Sequence, residues 1–174
     1  MKLTYLLLGS LFSLLDYKSK NKINKKNKDI SSRGEKVLGE QKNNKISELV
    51  RNKIILNGGK ALIPLLSGAV CEVRDNGNNC FVSDKLPQQE IGYCVFDIIY
   101  DLLKQKGGKV EKGNGRSFKV GDEKCSKNTI IGALAYEYYK KQDGDSTFDP
   151  VFVLTAMLEW ANIAKNCRGY IELI

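Results

Sequence analysis

The segment PQQEIGYCVFDIIYDLLKQK, residues 87–106, limits the possible folds more than any other part of the chain. Its apolar residues recur at intervals of three and four positions: Ile91, Cys94, Val95, Ile98 and Leu102. A proline opens this pattern and two glycines follow it, so the spacing predicts an amphipathic helix. An aromatic stripe runs beside the apolar one: Tyr93, Phe96 and Tyr100. The predicted helix is therefore apolar around most of its girth and is expected at the centre of the protein.

Other segments predict further helices and hairpins around this one. Helices are expected in KISELVRNKIIL, SKNTIIGALAYEYYKKQ and FDPVFVLTAMLEWANIAKNC. The segments VCEVRDNGNNCFVS and KVEKGNGRSFKVG resemble β-hairpins, and RGYIELI a closing strand. The apolar segment KALIPLLSGAV is too short to cross a membrane and is expected in the core. The predicted fold class is mainly α with one or two β-hairpins (α+β), in a single small disulfide-capable domain.

Three parts of the chain differ in composition. Residues 1–19 contain the apolar run LTYLLLGSLFSLL, which has the length of a secretory h-region. We interpret them as a signal peptide with an undefined cleavage site, and a short interfacial helix is the alternative. Residues 20–44 form a basic arm rich in lysine and asparagine, and residues 45–174 form the globular helical domain.

The positive charge of the protein is concentrated near its N-terminus. The net charge is +8, and residues 18–60 carry thirteen Lys/Arg against four acidic residues, whereas residues 61–174 carry fourteen against fifteen. A basic arm attracts acidic partners. The candidate residues for binding an acidic partner are Lys18, Lys20, Lys22, Lys25, Lys26 and Lys28. The alternative is a solvated stub, since lysine and asparagine also reflect simple compositional bias.

The folded part contains an odd number of cysteines, which are the disulfide candidates: Cys71, Cys80, Cys94, Cys125 and Cys167. The most local pairing joins Cys71 to Cys80 across an Asp-Asn-Gly turn. Two bridges with one spare thiol allow many arrangements, and the sequence leaves them open. In an oxidising compartment the spare thiol can link two chains, whereas in a reducing one the cysteines would be buried thiols.

Catalytic chemistry has little support in this sequence. The chain has no histidine, which excludes Ser-His-Asp and Cys-His sites and leaves little basis for a zinc site. Asp97 and Asp101 have the spacing of a carboxylate pair, but they lie on the polar edge of the predicted helix. Tyr136, Tyr138 and Tyr139 precede two lysines as in a stacking platform, yet their helical spacing favours the core. We therefore expect no enzyme, no cofactor, no metal site and no nucleic-acid partner.

The leader, the lysine-rich chain and the cysteines in GAVCEVRDNGNNCFV and EIGYCVFDIIYDLL resemble the polar tube protein 2 family of microsporidia. The resemblance implies a secreted structural component of the tube that a spore extrudes for host invasion. It also implies acidic partner proteins of the same assembly, disulfides within and between chains, and functional roles for the five cysteines. The chain departs from the family in its shorter length, its C-terminal YIELI and its odd cysteine count.

The predicted function is that of a secreted, non-enzymatic structural or assembly protein. It would assemble through charge attraction and disulfides into homo- or hetero-oligomers, without a transmembrane span. A secreted effector and a polyanion-binding module are the alternatives.

Overall fold

The computed structural model describes residues 45–174, apart from the side chains of residues 87–89. The predicted signal peptide and basic arm, with the six candidate lysines, lie outside the described residues. The described chain forms four α-helices: α1 (Ile46–Leu56), α2 (Cys94–Gln105), α3 (Ile130–Glu137) and α4 (Val151–Trp160). It also forms seven strands: β1 (Lys60–Pro64), β2 (Val70–Asp75), β3 (Cys80–Ser83), β4 (Leu86–Gly92), β5 (Lys109–Glu111), β6 (Ala164–Asn166) and β7 (Tyr170–Leu173).

The first sheet is an antiparallel meander in the order β1-β2-β3-β4. Its inner face packs against α1, which contributes the buried side chains of Val50 and Ile54. Strand β1 lies at the edge and alternates in burial, so that Ile63 is buried while Leu62 is 68% exposed. The apolar segment that we expected in the core is therefore an edge strand with one buried face.

The second sheet has three antiparallel strands in the order β5-β7-β6. Helix α4 contacts both β1 and β6, and α2 contacts α1, α3 and β5. The helices therefore connect the two sheets, and their buried residues belong to a single hydrophobic core.

The prediction of a mainly α fold is wrong. Within residues 45–174 the seven strands form two antiparallel sheets, and the class is α+β without a helical majority. The strands were underestimated because β5 and β6 have only three residues each. Such short strands carry little periodic signal, and their stability comes from pairing partners that are distant in the sequence.

The central helix is shorter than predicted. Residues 86–92 form β4, and α2 begins at Cys94. Ile91 is buried in either structure, but in β4 it alternates with the exposed Glu90 and the partly exposed Gly92. A short apolar segment fits both periods, and here pairing with β3 selects the strand.

The second predicted hairpin, residues 109–121, is also wrong, because β5 pairs with β7 and not with the residues that follow it. Gly113 has φ of 75°, and a Cβ atom there would lie 2.5 Å from the Lys124 carbonyl oxygen. Only glycine therefore allows the chain to approach this closely and turn away.

Several local predictions are confirmed. The β2–β3 hairpin forms around the expected turn, and the tail forms strand β7. Helix α1 ends at Leu56 with Asn57 as its C-cap, and Asp149 accepts a hydrogen bond from the Val151 amide at the start of α4. Turn and cap residues act through their nearest neighbours in the chain, which is why the sequence reveals them.

The β2–β3 turn is tied to the core through the carboxylate of Asp75. Oδ1 accepts hydrogen bonds from Tyr93 Oη at 2.9 Å and from Arg51 Nε at 3.2 Å. Oδ2 accepts one from the Gly77 amide at 3.0 Å. Burial alone would raise the pKa of Asp75, but these donors outweigh it and lower that pKa. We call Asp75, Arg51, Gly77 and Tyr93 the turn clamp.

Candidate functional site

A concave surface with a volume of about 820 Å³ lies on the solvent face of β5 and β7. Val110 and Ile171 point to the core, so the alternating residues of the same strands face outward. The 3₁₀ helix Glu123–Cys125 and the β6–β7 turn complete the walls. We call this surface the basic cleft and define it by six side chains: Lys109, Glu111, Phe118, Lys124, Arg168 and Tyr170.

Positive charge predominates in the basic cleft, with three cationic side chains against the single carboxylate of Glu111. Lys124 Nζ lies 3.3 Å from Glu111 Oε2 and partly neutralises it. Lys109 Nζ lies 4.0 Å from the centroid of the Tyr170 ring, which is a cation–π contact. The cleft therefore combines an aromatic wall with cations, a combination that suits carboxylate-bearing or other anionic ligands.

The thiol of Cys167 lies beside the cleft, directly before the Arg168-Gly169 turn that forms one wall. The turn closes with a hydrogen bond from the Cys167 amide to the Tyr170 carbonyl, at 3.0 Å. Gly169 has φ of 85°, a left-handed conformation that glycine adopts readily. The neighbouring Cys167 thiol raises the pKa of the Tyr170 hydroxyl.

The partly buried Lys112 contacts the backbone of Cys167. Its Nζ donates to Asn166 Oδ1 at 2.6 Å and to the Cys167 carbonyl at 2.7 Å. Burial lowers the pKa of Lys112, while Cys167 and Glu159 oppose that shift. The partly exposed Cys167 thus has the Lys112 ammonium group at its backbone carbonyl and is followed in the chain by residues that line the basic cleft.

The other cysteines differ in accessibility. Cys71 and Cys125 are completely buried, and burial raises the pKa of both thiols. Cys80 is partly exposed and Cys94 is exposed. All five are free thiols in the structure, so disulfide formation stays a prediction.

The β2–β3 register separates Cys71 from Cys80, the pair that the sequence favoured. Asn76 lies opposite Cys80, and its amide donates to the Cys80 carbonyl. Cys71 is five residues farther along β2, roughly 16 Å away at about 3.3 Å per residue. A disulfide requires Cα atoms about 4.4–6.8 Å apart, so this pairing is incompatible with the hairpin.

The two aspartates that we weighed as a carboxylate pair have different surroundings. Asp97 holds the N-terminus of α1, because it accepts hydrogen bonds from the Ser47 amide at 2.9 Å and the Ser47 hydroxyl at 2.7 Å. Asp101 is exposed. A carboxylate at a helix N-terminus stabilises the helix, so Asp97 has a structural task.

The tyrosines of α3 and its C-terminal extension pack against the domain. Tyr138 Oη accepts a hydrogen bond from the Gly92 amide, and Tyr136 Oη donates to Asp143. Tyr139 lies between Tyr138 and Phe148 with edge-to-face geometry. Their rings are committed to intramolecular contacts.

The sequence did not predict the basic cleft. Its residues come from segments up to sixty positions apart, and the near-neutral charge of residues 61–174 conceals it. A weak signal exists, because Lys-Val-Glu at 109–111 and Tyr-Ile-Glu at 170–172 both alternate polar and apolar residues, as paired strands do.

None of the helices within residues 45–174 is long and apolar enough to span a membrane. Over the same residues, no cluster of three His, Cys, Asp or Glu side chains could hold a metal ion. In comparisons with known proteins, no family model, no curated protein and no solved structure matches the chain.

Proposed function

We propose that the protein is a secreted, non-enzymatic assembly protein that binds an acidic partner and then becomes linked to it through a disulfide. The role corresponds to the one implied by the resemblance to the polar tube protein 2 family. The observation that carries the proposal is the position of the Cys167 thiol beside the basic cleft. A partner segment held in the cleft would have its own sulfur atoms close to this thiol.

Attraction and covalent linkage would occur in that order. The cations of the cleft and of the basic arm attract a carboxylate-rich segment over about 10 Å at 0.1 M salt. Cys167, as thiolate, then attacks a disulfide of the partner, forms a mixed disulfide with one of its sulfur atoms and releases the other as a thiolate. The nearby Lys112 ammonium and the cleft cations provide positive charge where the exchange develops negative charge.

The charge step can be tested with a fluorescent poly-L-glutamate peptide as probe. We would reverse the three cleft cations with Lys109→Glu, Lys124→Glu and Arg168→Glu in the whole chain. The matched control reverses three exposed lysines elsewhere, with Lys60→Glu, Lys127→Glu and Lys141→Glu. Both variants have the same net charge and the same arm, so any difference between them reports the location of the charge.

We expect the cleft variant to bind the probe about tenfold more weakly than the control variant. Each lost ion pair in an exposed site is worth about 0.5 kcal/mol, and three of them correspond to roughly tenfold in Kd. The difference should shrink as salt is added. Equal binding by the two variants would show that the basic cleft is not the acidic-partner site.

The covalent step can be tested by non-reducing electrophoresis of the protein recovered from its native source. We expect disulfide-linked multimers that collapse on reduction, that disappear in Cys167→Ser and that persist in the double variant Cys80→Ser/Cys94→Ser. A single monomer band without reductant would contradict assembly and would favour a monomeric secreted effector. If the protein bound heparin through the cleft cations but did not bind poly-L-glutamate, this would favour a polyanion-binding module.

A further inference from the structure

Two cysteines, the partly exposed Cys80 and the exposed Cys94, lie where β3, β4 and α2 come together. Cys80 begins β3, Gly92 ends β4 opposite it, and Cys94 begins α2. The intervening core positions are filled by Phe81 and Ile91, which face inward. Because side chains alternate along a strand, Cys80 and position 92 share the outer face of the sheet.

The hydrogen bonds identify Cys80 and Gly92 as a closely spaced pair. The Gly92 amide donates to Tyr138 Oη at 2.9 Å and not to Cys80. The Cys80 carbonyl instead accepts from the amide of Asn76, directly after β2, while one position farther along the Tyr93 amide donates to the Asn79 carbonyl. This alternation marks a non-hydrogen-bonded antiparallel pair, in which Cα atoms are about 4.5 Å apart and side chains approach most closely.

The thiol of Cys94 lies close to the position that a side chain at Gly92 would occupy. A Cβ atom built on Gly92 would lie 3.4 Å from Cys94 Sγ. Directly opposite residues have Cβ atoms about 4.5–5.5 Å apart, so a Cβ atom at position 92 would lie at that distance from Cys80 Cβ. The Cys94 sulfur is in contact with this position. Burial and Asp97 raise the pKa of Cys94, and Cys80 adds to this shift, as expected for neighbouring thiols.

We propose that Cys80 and Cys94 form an intramolecular disulfide by exchange with a small-molecule disulfide such as oxidised glutathione. The exposed Cys94, as thiolate, attacks one glutathione sulfur and releases the other as glutathione. Cys80, as thiolate, then attacks Cys94 Sγ of the mixed disulfide and releases the second glutathione. The two protein thiols lose two protons and two electrons, and oxidised glutathione is reduced to two molecules of glutathione.

The bridge would connect the start of α2 to the β2–β3 hairpin. The bridge would also assign a state to each of the five cysteines. Cys80 and Cys94 would be linked, Cys71 and Cys125 are completely buried, and Cys167 would remain as the accessible thiol. The inference does not depend on the proposed function, since an internal bridge forms whether or not the protein assembles with a partner.

Peptide mapping tests the inference directly. The whole chain is reduced, diluted, treated with oxidised glutathione, alkylated and digested with trypsin. Cleavage after Arg74, Lys85 and Lys104 separates the two cysteines into peptides 75–85 and 86–104. We expect these two peptides to be recovered joined to each other, and the melting temperature of the oxidised protein to be roughly 5–10 °C higher than that of the reduced protein.

Three variants complete the test. Cys80→Ser and Cys94→Ser should each lose the joined peptide and the rise in melting temperature, whereas Cys167→Ser should keep both. Recovery of the Cys80 and Cys94 peptides unlinked, or each with its own glutathione, from folded protein would overturn the inference. Joined peptides in a protein that never forms multimers would leave this inference intact and contradict only the proposed function.

Discussion

The turn clamp offers a quantitative test of the structure at the hairpin that carries Cys80. In Asp75→Ala the carboxylate is lost, and three donors lose their acceptor: Tyr93 Oη, Arg51 Nε and the Gly77 amide. Tyr93 is the critical one, because its residue is 0% exposed and water does not reach the hydroxyl group as a replacement partner.

The expected loss follows from these contacts. A buried hydroxyl without a partner costs about 1–3 kcal/mol. The Arg51–Asp75 ion pair, whose side chains are 30% and 13% exposed, adds about 0.5–1 kcal/mol. We therefore expect Asp75→Ala to lower the free energy of unfolding by about 1.5–4 kcal/mol. Tyr93→Phe removes only one of the three donors and should cost about 1 kcal/mol.

The two substitutions should not be additive. Once Tyr93 is phenylalanine, loss of Asp75 leaves no buried hydroxyl group without a partner, so the double variant should be about 1–2 kcal/mol more stable than the sum predicts. Urea unfolding at neutral pH measures all four proteins under reducing conditions. Additivity within 0.5 kcal/mol would refute the reasoning, because it would mean that Tyr93 and Asp75 do not depend on each other.

The same clamp predicts the direction of a pH dependence. The pKa of Asp75 is lower in the folded protein than its ordinary value of 3.8. A lowered carboxyl pKa stabilises the fold above the ordinary value, and the stabilisation is lost as the pH falls through the folded pKa. The difference between wild type and Asp75→Ala should thus be complete at pH 7 and shrink below about pH 4. A difference that stays constant down to pH 2 would contradict an ionic role for Asp75.

Three further predictions concern other parts of the chain. Gly113→Ala should lower the free energy of unfolding by about 3 kcal/mol or more, and Gly58→Ala by only about 1 kcal/mol. Both residues have positive φ, but only at Gly113 would the added Cβ atom clash with a backbone oxygen. Equal losses of the free energy of unfolding in urea would contradict this. In the folded, reduced protein Cys94 should react with iodoacetamide at pH 8 more slowly than in the urea-unfolded chain, because its pKa is raised. The difference in rate should decrease as the pH rises. A difference in rate that does not depend on pH would exclude the raised pKa as its cause. Replacement of the six candidate lysines of the arm by glutamine should lower the salt concentration at which the protein elutes from heparin, and the melting temperature should stay the same. Elution at an unchanged salt concentration would indicate that the arm is only a solvated stub. The six residues are Lys18, Lys20, Lys22, Lys25, Lys26 and Lys28.

Local signals in the sequence were sufficient for part of the fold. The Asp-Asn-Gly turn of the first hairpin, the end of α1 before Asn57 and the start of α4 after Asp149 each depend on residues only a few positions apart. Their backbone conformations follow from side-chain hydrogen bonds and positive φ at glycine, which are properties of short segments.

Long-range pairing determined the remainder. Strand β5 has one buried side chain, Val110, and it is a strand because β7 lies beside it some sixty residues later. The basic cleft also depends on the pairing of β5 with β7, because this pairing brings Lys109 and Tyr170 into contact. A composition-based charge count assigns the positive charge to the arm and cannot detect three cations that the fold brings together.

The boundary between β4 and α2 shows how an error of local structure becomes an error of chemistry. If one helix covered residues 87–106, Cys94 would lie three positions after Ile91 and four before Ile98, within the apolar stripe, and its thiol would be in the core. Because the strand ends at Gly92, the helix begins with a different phase, and its buried residues are Val95, Phe96, Ile99, Leu102 and Leu103. Cys94 is thereby exposed, and the same strand places position 92 opposite Cys80. The phase of a single helix thus decides whether this cysteine is an inert core residue or one half of an oxidisable pair.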